Sequence, residues 1–163
     1  MSVRCRQFQP ADADACSDIL RACIVKGNAV PSWLRDVFVD RETRARMIDR
    51  ASRYYIAVCT GADGIVGVGG LDMNEIRLLA VAPGHQRQGC GKLLLDHLEG
   101  MVPPALFREV FVYSARASEG FYLACGYVSR GEHVVEVQGH PVRTTFMIKT
   151  LDRSDLSGQA DSG

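Results

Sequence analysis

Six residues between a strand and a helix carry the clearest chemical pattern of the chain. Residues 86–91 read Gln-Arg-Gln-Gly-Cys-Gly. The apolar run that ends at Val81 predicts a strand before them, and the spacing of Leu94, Leu95 and Leu98 predicts an amphipathic helix after them. The first amides of such a helix have no intrahelical partner and lie at the positive end of its dipole. The sequence therefore predicts an anion site suited to a pyrophosphate.

Two other phosphate-binding patterns fit these residues less well. A Walker A loop requires lysine after its second glycine, but Cys90 follows Gly89. The dinucleotide fingerprint requires a strand-to-helix turn, and the nearest glycines, Gly67 and Gly69, lie in a strand-like run with no helix pattern after it. Nucleoside triphosphate hydrolysis is therefore disfavoured. A nicotinamide oxidoreductase, which the dinucleotide fingerprint would indicate, is kept as an alternative function.

Gln86, Gly89 and Gly91 satisfy a different pattern: Gln or Arg, two residues, Gly, one residue, then Gly or Ala. This pattern resembles the GNAT superfamily of acyl-CoA-dependent N-acyltransferases. The resemblance implies acetyl-CoA as co-substrate, with the pyrophosphate on residues 86–92. It also implies a bulge in the preceding strand, which would separate that strand from the next one and leave room for the pantetheine arm near Ala80 and Val81.

A second motif follows at residues 118–127, Ser-Glu-Gly-Phe-Tyr-Leu-Ala-Cys-Gly-Tyr, and resembles another signature of the same family. The two motifs are about thirty residues apart, room for one helix and one strand. The family often has an asparagine seven residues before the tyrosine, where this chain has Ala115, so that cofactor contact is either missing or supplied by Ser114 or Ser118. The full set of cofactor-binding residues implied by the resemblance is Leu79, Ala80, Val81, Gln86, Arg87, Gln88, Gly89, Cys90, Gly91, Lys92, Ser118 and Tyr122.

Acetyl transfer to an amine requires a base for the ammonium proton and a donor for the departing thiolate. Glu75 opens the strand that ends at Val81, and the resemblance implies that it is the general base, often acting through water. Its alternative role is an ion pair with Arg77 or a surface lysine. The resemblance implies that Tyr122 is the acid. The alternative role for Tyr122 is an ordinary aromatic residue of the core, but Phe121 fits that role better.

These residues predict an N-acetyltransferase that moves an acetyl group directly from acetyl-CoA to a primary amine in a ternary complex. The alternative from another class is a non-catalytic acyl-CoA-binding sensor or regulatory module. The acceptor is open among small amines, protein N-termini and lysine side chains. The resemblance implies that residues 26–39 and 131–142 flank its entry. The candidate lining residues there are Trp33, Arg35, Asp36, Phe38, Glu132, His133 and Glu136.

Composition agrees with a single enzyme domain. The chain has 163 residues, 47% of them hydrophobic, and its 19 basic and 19 acidic residues leave no net charge to attract nucleic acid or an anionic membrane. No apolar run approaches a membrane span, and the polar N-terminus does not resemble a signal peptide. We therefore expect a cytoplasmic protein.

No metal site is predicted, because neither the six cysteines nor the four histidines contain a pair with metal-ligand spacing. The cysteines are expected to be reduced and mostly buried. Cys90 is the one thiol whose place at a helix start could lower its pKa, although packing beneath the turn is the simpler interpretation. His85, His97 and His140 are expected to be solvated.

The pattern of elements predicts an α/β (α+β) fold in the order β-α-α-β-β-β-α-β-α-β-β, which is the GNAT order. The resemblance then implies a mixed, mostly antiparallel sheet of about seven strands flanked by about four helices. Asp40 is expected to cap the second helix, and Gly100 to end the helix after the glycine-rich turn. Residues 1–150 form one domain in this interpretation, and residues 151–163 a disordered tail. The C-terminal hairpin could supply an edge for a homodimer, although no residue pattern decides this.

Overall fold

The computed structural model of the chain describes residues 2–27, 30–137 and 139–153. Twelve helices and strands follow one another in these residues. They are β1 (Arg4–Gln7), α1 (Ala13–Lys26), α2 (Arg35–Arg41), α3 (Arg44–Arg53), β2 (Tyr55–Gly61), β3 (Gly64–Asp72), β4 (Glu75–Val81), α4 (Cys90–Met101), β5 (Glu109–Ser114), α5 (Glu119–Ala124), β6 (Val128–Val137) and β7 (His140–Thr150).

The strands form one seven-stranded sheet in the order β1-β2-β3-β4-β5-β7-β6. Every neighbouring pair is antiparallel except β4 and β5, which run parallel. The predicted mixed, mostly antiparallel α/β architecture is confirmed. The helix count is five rather than four, because the segment interpreted as irregular contains α2.

Two helix boundaries differ from the prediction. The cap of α3 is Thr43, whose hydroxyl accepts a hydrogen bond from the Arg46 amide at 3.2 Å. Asp40 lies inside α2 instead, so its predicted capping role is wrong. Helix α4 continues through Gly100 to Met101, because the α-helical backbone accommodates glycine at only a modest loss of stability.

The sheet has a hydrophobic core on each face. Helices α1 and α3 cover one face, where Cys16, Met47 and Val58 are buried. Helix α4 covers the other with its leucines, against Ala57 and Val110. Because successive strand residues point to opposite faces, β4 contributes Leu78 and Ala80 to the first core, and Leu79 and Val81 to the second.

The glycines of β3 allow α4 to approach the sheet closely, and we expect Gly69→Ala to lower the free energy of unfolding by about 1–3 kcal/mol, as overpacking usually does. An added Cβ would lie 2.8 Å from Cδ1 of Leu98 and 3.2 Å from Cγ of Leu94, both fully buried. Urea denaturation measures the change. The control is Gly100→Ala, where the Cβ meets nothing within 4 Å and alanine favours the helix. Equal losses in both variants would contradict the packing argument.

Two of the six cysteines are paired. Cys5 of β1 and Cys59 of β2 lie opposite each other in the sheet and form a disulfide. The prediction that all cysteines are reduced is therefore wrong for this pair, since a separation of 54 residues conceals their position on adjacent strands. Cys16, Cys23, Cys90 and Cys125 are free.

The C-terminal end of β7 continues into residues that contact the domain. The Leu151 amide donates a hydrogen bond to the Arg108 carbonyl at 2.8 Å, and Arg153 donates to the Val102 carbonyl at 2.8 Å. The rest of the predicted tail, residues 154–163, lies outside the described residues. Strand β6 forms one edge of the sheet, so a homodimer through this edge stays a prediction.

Candidate active site

The turn between β4 and α4 has an unusual backbone conformation. Arg87 and Gly89 both adopt left-handed backbone angles, with φ of 63° and 84°. Gln86 before them is extended, with φ of −70° and ψ of 157°. Successive backbone amides in a turn can form a concave anion-binding nest. A Cβ on Gly89 would point into open space, with nothing within 4 Å. The turn therefore leaves room for a ligand at Gly89.

Helix α4 presents free amides to this turn. The Leu93 amide donates a hydrogen bond to the Gly89 carbonyl at 3.1 Å, and this is the first helical hydrogen bond of α4. The preceding amides, those of Cys90, Gly91 and Lys92, make no hydrogen bond to the residues that the structure describes. They lie at the positive end of the helix dipole and are available to an anion. The anion site predicted from the sequence thus has suitable local geometry.

Strands β4 and β5 separate beside the turn. They pair only through Glu75 with Phe111 and Ile76 with Val112. Opposite β3, Ile76 pairs with Leu71 and Leu78 with Gly70, which leaves Arg77 as the extra residue of a β-bulge. The bulge implied by the resemblance is therefore present. Beyond it, the edge of β4 that faces β5 has backbone groups with no strand partner, and an extended ligand containing amides could bind them.

The turn and the separated strands enclose one cleft of about 590 Å³, a volume typical of small-molecule sites. The residues that line it come from β4, the turn, α4 and the region of α5: Leu79, Ala80, Val81, Gln86, Arg87, Gly89, Gly91, Lys92, Ala117, Ser118, Phe121, Tyr122, Ala124 and Cys125. The two sequence motifs therefore meet in one cavity, although about thirty residues separate them.

Most of the predicted cofactor residues line this cleft, but Gln88 and Cys90 do not. The Gln88 side chain donates a 3.4 Å hydrogen bond back to the Gly84 carbonyl. Cys90 is buried, and burial raises its pKa, so its thiol packs beneath the turn and is not activated. Of these two residues, Cys90 contributes its unpaired backbone amide at the start of α4.

The sequence interpretation missed four lining residues, Ala117, Phe121, Ala124 and Cys125. Phe121 had been assigned to the core, and it does pack against the core while also lining the cleft. Its ring lies 3.3 Å from where a Cβ of Gly91 would be, so the second glycine of the motif also makes space for an aromatic ring. Periodicity alone cannot reveal this dual role, because α5 has only six residues.

Tyr122 is held rigidly at the cleft. Only 5% of it is exposed, and its ring makes edge contacts with Phe121 at 5.1 Å and Tyr127 at 5.3 Å between centroids. Burial raises the pKa of the Tyr122 phenol, so it keeps its proton at neutral pH. Its hydroxyl makes no hydrogen bond within the described part of the chain and is available as a donor to a ligand in the cleft.

Glu75 lies outside the cleft lining. Its carboxylate accepts a 3.3 Å hydrogen bond from Nη1 of Arg77, the ion pair weighed as its alternative role. Four residues separate it from Leu79, or about 13 Å of extended strand, so it cannot touch a group bound beside Leu79 without an intervening water. It lies half-buried at the start of β4 and retains partial access to solvent.

Two of the three histidines expected to be solvated make defined contacts. His97 shares a 2.8 Å hydrogen bond with the Tyr55 hydroxyl, and the ring of His140 packs edge-on against Trp33 at 5.2 Å. Within residues 2–27, 30–137 and 139–153, no three His, Cys, Asp or Glu side chains come together as a metal site. No described helix is long and apolar enough to span a membrane.

Comparison with known proteins agrees with this geometry. The family model for the acetyltransferase (GNAT) domain matches residues 25–151. Among solved structures, a GCN5-related N-acetyltransferase from Rhodopseudomonas palustris superposes with a TM-score of 0.84 at 22% identity, covering 93% of this chain and 97% of that one. A comparison with curated proteins found no relative of significant similarity.

Two further structures share the fold. A phosphinothricin acetyltransferase from Sinorhizobium meliloti, in complex with acetyl-CoA, has a TM-score of 0.70 at 21% identity, covering 93% of this chain and 89% of that one. A ribosomal-protein-alanine N-acetyltransferase from Brucella melitensis has a TM-score of 0.71 at 19% identity, covering 91% and 99%. The chain belongs to the GNAT acetyltransferase family.

Proposed function

We propose that this protein is an N-acetyltransferase that transfers the acetyl group of acetyl-CoA directly to a primary amine in a ternary complex. One observation carries the proposal: the glycine-rich turn before α4 and Tyr122 line the same cleft of about 590 Å³. The structural neighbour from Sinorhizobium meliloti, which was solved with acetyl-CoA, adds support for that co-substrate. The predicted cytoplasmic location stays a prediction.

The cleft suits the parts of acetyl-CoA in order. The pyrophosphate would bind the first amides of α4, with Arg87 and Lys92 supplying positive charge at the rim. The pantetheine amides would pair with the edge of β4 near Ala80 and Val81. There the Val81 carbonyl accepts hydrogen bonds from Nε2 of Gln86 at 3.0 Å and from Sγ of Cys23 at 3.2 Å, so the ligand would replace the Gln86 side chain or bind beside it. This orientation would place the thioester beside Leu79 and Tyr122, at the far end of the cleft from the turn.

In the proposed reaction the amine nitrogen forms a bond to the thioester carbonyl carbon, and the carbon–sulfur bond breaks. The proton that the nitrogen loses as it becomes an amide passes to solvent, and the sulfur leaves as a thiolate that takes its proton from solvent. Tyr122 would donate a hydrogen bond to the departing sulfur. Because a phenol is a weaker acid than a thiol, and burial weakens it further, complete proton transfer to the thiolate is uphill. The hydroxyl would therefore act mainly by stabilising the negative charge that develops on sulfur.

Glu75 would accept the proton that the ammonium must lose before attack. The side chains of Glu75 and Leu78 point to the α1 face of β4, whereas Leu79 and Tyr122 belong to the α4 face. The base and the acid would thus approach the thioester from opposite faces of the sheet. This arrangement suits a direct transfer, in which the amine enters on one side and the thiolate leaves on the other.

Substitution of Glu75 separates this role from its ion pair. We expect Glu75→Gln to lower kcat by about 10²-fold or more, the usual contribution of a general base, and to leave the Kd for acetyl-CoA unchanged. Arg77→Gln breaks the same 3.3 Å ion pair but keeps the carboxylate, so its kcat should stay near that of the unmodified protein. Equal losses in the two variants would assign Glu75 a structural role.

Initial rates measured over a grid of acetyl-CoA and amine concentrations test the direct transfer. Intersecting double-reciprocal lines are expected for a ternary complex, whereas parallel lines would indicate a covalent acetyl-enzyme and contradict the proposal.

The ion pair of Glu75 with Arg77 is the observation that favours the alternative function, a non-catalytic acyl-CoA sensor. A sensor would bind acetyl-CoA and release no CoA with any amine.

A further inference from the structure

Four rings cluster on the α1 face of the sheet, over the strands β5, β7 and β6. Tyr113 lies 4.7 Å from His133 and 5.5 Å from Phe146, and Phe111 lies 5.6 Å from Phe146, all measured between ring centroids. We call these four residues the aromatic face. Phe111 and Tyr113 alternate along β5 with the buried residues Val110, Val112 and Ser114, whose side chains point to the α4 face.

The aromatic face is partly open to solvent. Phe111, Tyr113 and Phe146 are half-buried, and His133 is exposed. Helices α1 and α3 pack over this face of the sheet at β2, β3 and β4 instead. Rings that serve only a core are normally covered, so an aromatic surface left open beside a candidate active site suggests a ligand.

The aromatic face begins where the amine would have to enter. Phe111 pairs with Glu75 across β4 and β5, and Tyr113 is the first residue of β5 on this face beyond the last paired position, Val112. Tyr113 therefore stands at the edge of the gap between the two strands. Tyr122 lines the same gap from the opposite face of the sheet.

A second wall stands farther along the hairpin. Trp33, which is 64% exposed, packs edge-on against His140 at 5.2 Å. His140 lies on the same face as Phe146, because the two are six residues apart on β7 and every second residue of a strand points to the same face. His133 is on this face too, since it pairs with Thr144 of β7. The segment before α2 thus reaches the hairpin and borders the aromatic face on the side away from the gap.

The charges on this face favour one kind of acceptor. On β7 the residues between the rings and His140 are Val142 and Thr144, and on β6 the next residue is Val135. Two of the three acids considered from the sequence, Glu132 and Glu136, point to the other face, where Glu132 lies 3.3 Å from Arg143. On this face, the residues of β6 and β7 from Tyr113 toward His140 therefore carry no carboxylate, whereas Glu75 and Glu109 lie at the opposite end, beside Phe111. A polyamine with several cationic groups would find carboxylates from these strands at that end alone.

We propose that the acceptor is a small primary amine with an aromatic body, an arylalkylamine, whose ring packs on Tyr113, Phe146 and His133 while its nitrogen enters the gap between β4 and β5. This inference rests on the proposed acetyl transfer and names its substrate class. Tyr113 is the specificity-determining residue in this arrangement, because it lies between the gap and the other rings.

The test measures the release of free CoA from acetyl-CoA with two primary amines as acceptors. One of them, 2-phenylethylamine, carries an aromatic ring, and the other, propylamine, carries only an alkyl chain. We expect kcat/KM to be about tenfold or more higher for 2-phenylethylamine, since its ring would remove apolar surface from water and pack on the rings of the aromatic face. Spermidine, glycine and a short alanine-initiated peptide should be poorer acceptors than 2-phenylethylamine.

Variants at one position assign the preference. Tyr113→Val suits a strand but removes the ring, and should reduce the ratio of the two kcat/KM values to near one. Tyr113→Phe keeps the ring and should preserve the ratio. Val134→Ala, on the opposite face of β6, is the control and should also preserve it.

The outcomes separate the two proposals. An unchanged ratio in Tyr113→Val, or faster turnover of spermidine, glycine or the peptide, would overturn the aromatic acceptor and leave acetyl transfer intact. If the protein binds acetyl-CoA but releases no CoA in the presence of any of these amines, both the acceptor class and the enzymatic function are overturned.

Discussion

Gly89→Asp is expected to abolish acetyl-CoA binding, with the Kd weakened by about 10²-fold or more. The glycine has a left-handed φ of 84°, and a side chain added there would point into the open space in front of the α4 amides. A carboxylate in that position would occupy the proposed pyrophosphate site and repel the negative charge of the pyrophosphate. Two like charges at a site whose amides attract an anion are strongly unfavourable for binding. Isothermal titration calorimetry with acetyl-CoA measures the loss.

Gly89→Asn is the matched control for this substitution. Asparagine has nearly the same size as aspartate and is among the residues that tolerate left-handed angles best, but it carries no charge. It should retain more affinity than Gly89→Asp, and both variants should melt at similar temperatures. Equal affinity of Gly89→Asp and the unmodified protein would refute the assignment of this turn as the pyrophosphate site.

Tyr122→Phe is expected to lower kcat by about 10²- to 10⁴-fold with little change in the Kd for acetyl-CoA. Phenylalanine preserves the edge contacts with Phe121 and Tyr127 and removes only the hydroxyl, which has no hydrogen-bond partner among the described residues. Steady-state kinetics, together with calorimetric titration of acetyl-CoA, would separate the catalytic loss from a loss of binding.

Tyr127→Phe makes the same chemical change next to this site. Its hydroxyl donates a 2.9 Å hydrogen bond to Oε1 of Glu99, which also accepts from Lys149. Because this variant removes one bond from a buried network, we expect a loss of about 1–3 kcal/mol in stability and an unchanged kcat. A similar drop in kcat in both variants would show that packing, rather than the Tyr122 hydroxyl, determines the rate.

The sequence predicts best what local patterns encode. The limits of β4 agree with the structure at both ends, because an apolar run bounded by turn residues defines a strand without help from distant contacts. The turn between β4 and α4 is equally predictable from the sequence, since glycine spacing and the start of an amphipathic helix are local signals. The pairing of the two motifs in one cleft followed from their resemblance to a family and not from physics alone.

Features that depend on tertiary contacts were missed. Helix α2 has only seven residues and follows Pro31, so its pattern is too short to predict a helix, and it forms against α1. The disulfide between Cys5 and Cys59 depends on the register of two strands that are distant in sequence. The aromatic face combines residues of three strands, and no single segment reveals it.

The site shows the same division. Tyr122 lies at the cleft as its motif predicts, because the short helix α5 places it there. Glu75 forms an ion pair with Arg77, two residues away, a contact that proximity in the sequence permits but does not require. Substitution, rather than geometry, distinguishes a base from a structural carboxylate at this position.

Release of free CoA thiol from acetyl-CoA, followed with and without an amine, tests the central claim most directly. We expect release by the unmodified protein to depend on the amine, to be fastest with 2-phenylethylamine and to fall sharply in Tyr122→Phe. Tight binding of acetyl-CoA with no amine-dependent release across small amines, polyamines, amino acids and peptides would contradict the account and identify the protein as an acyl-CoA-binding module.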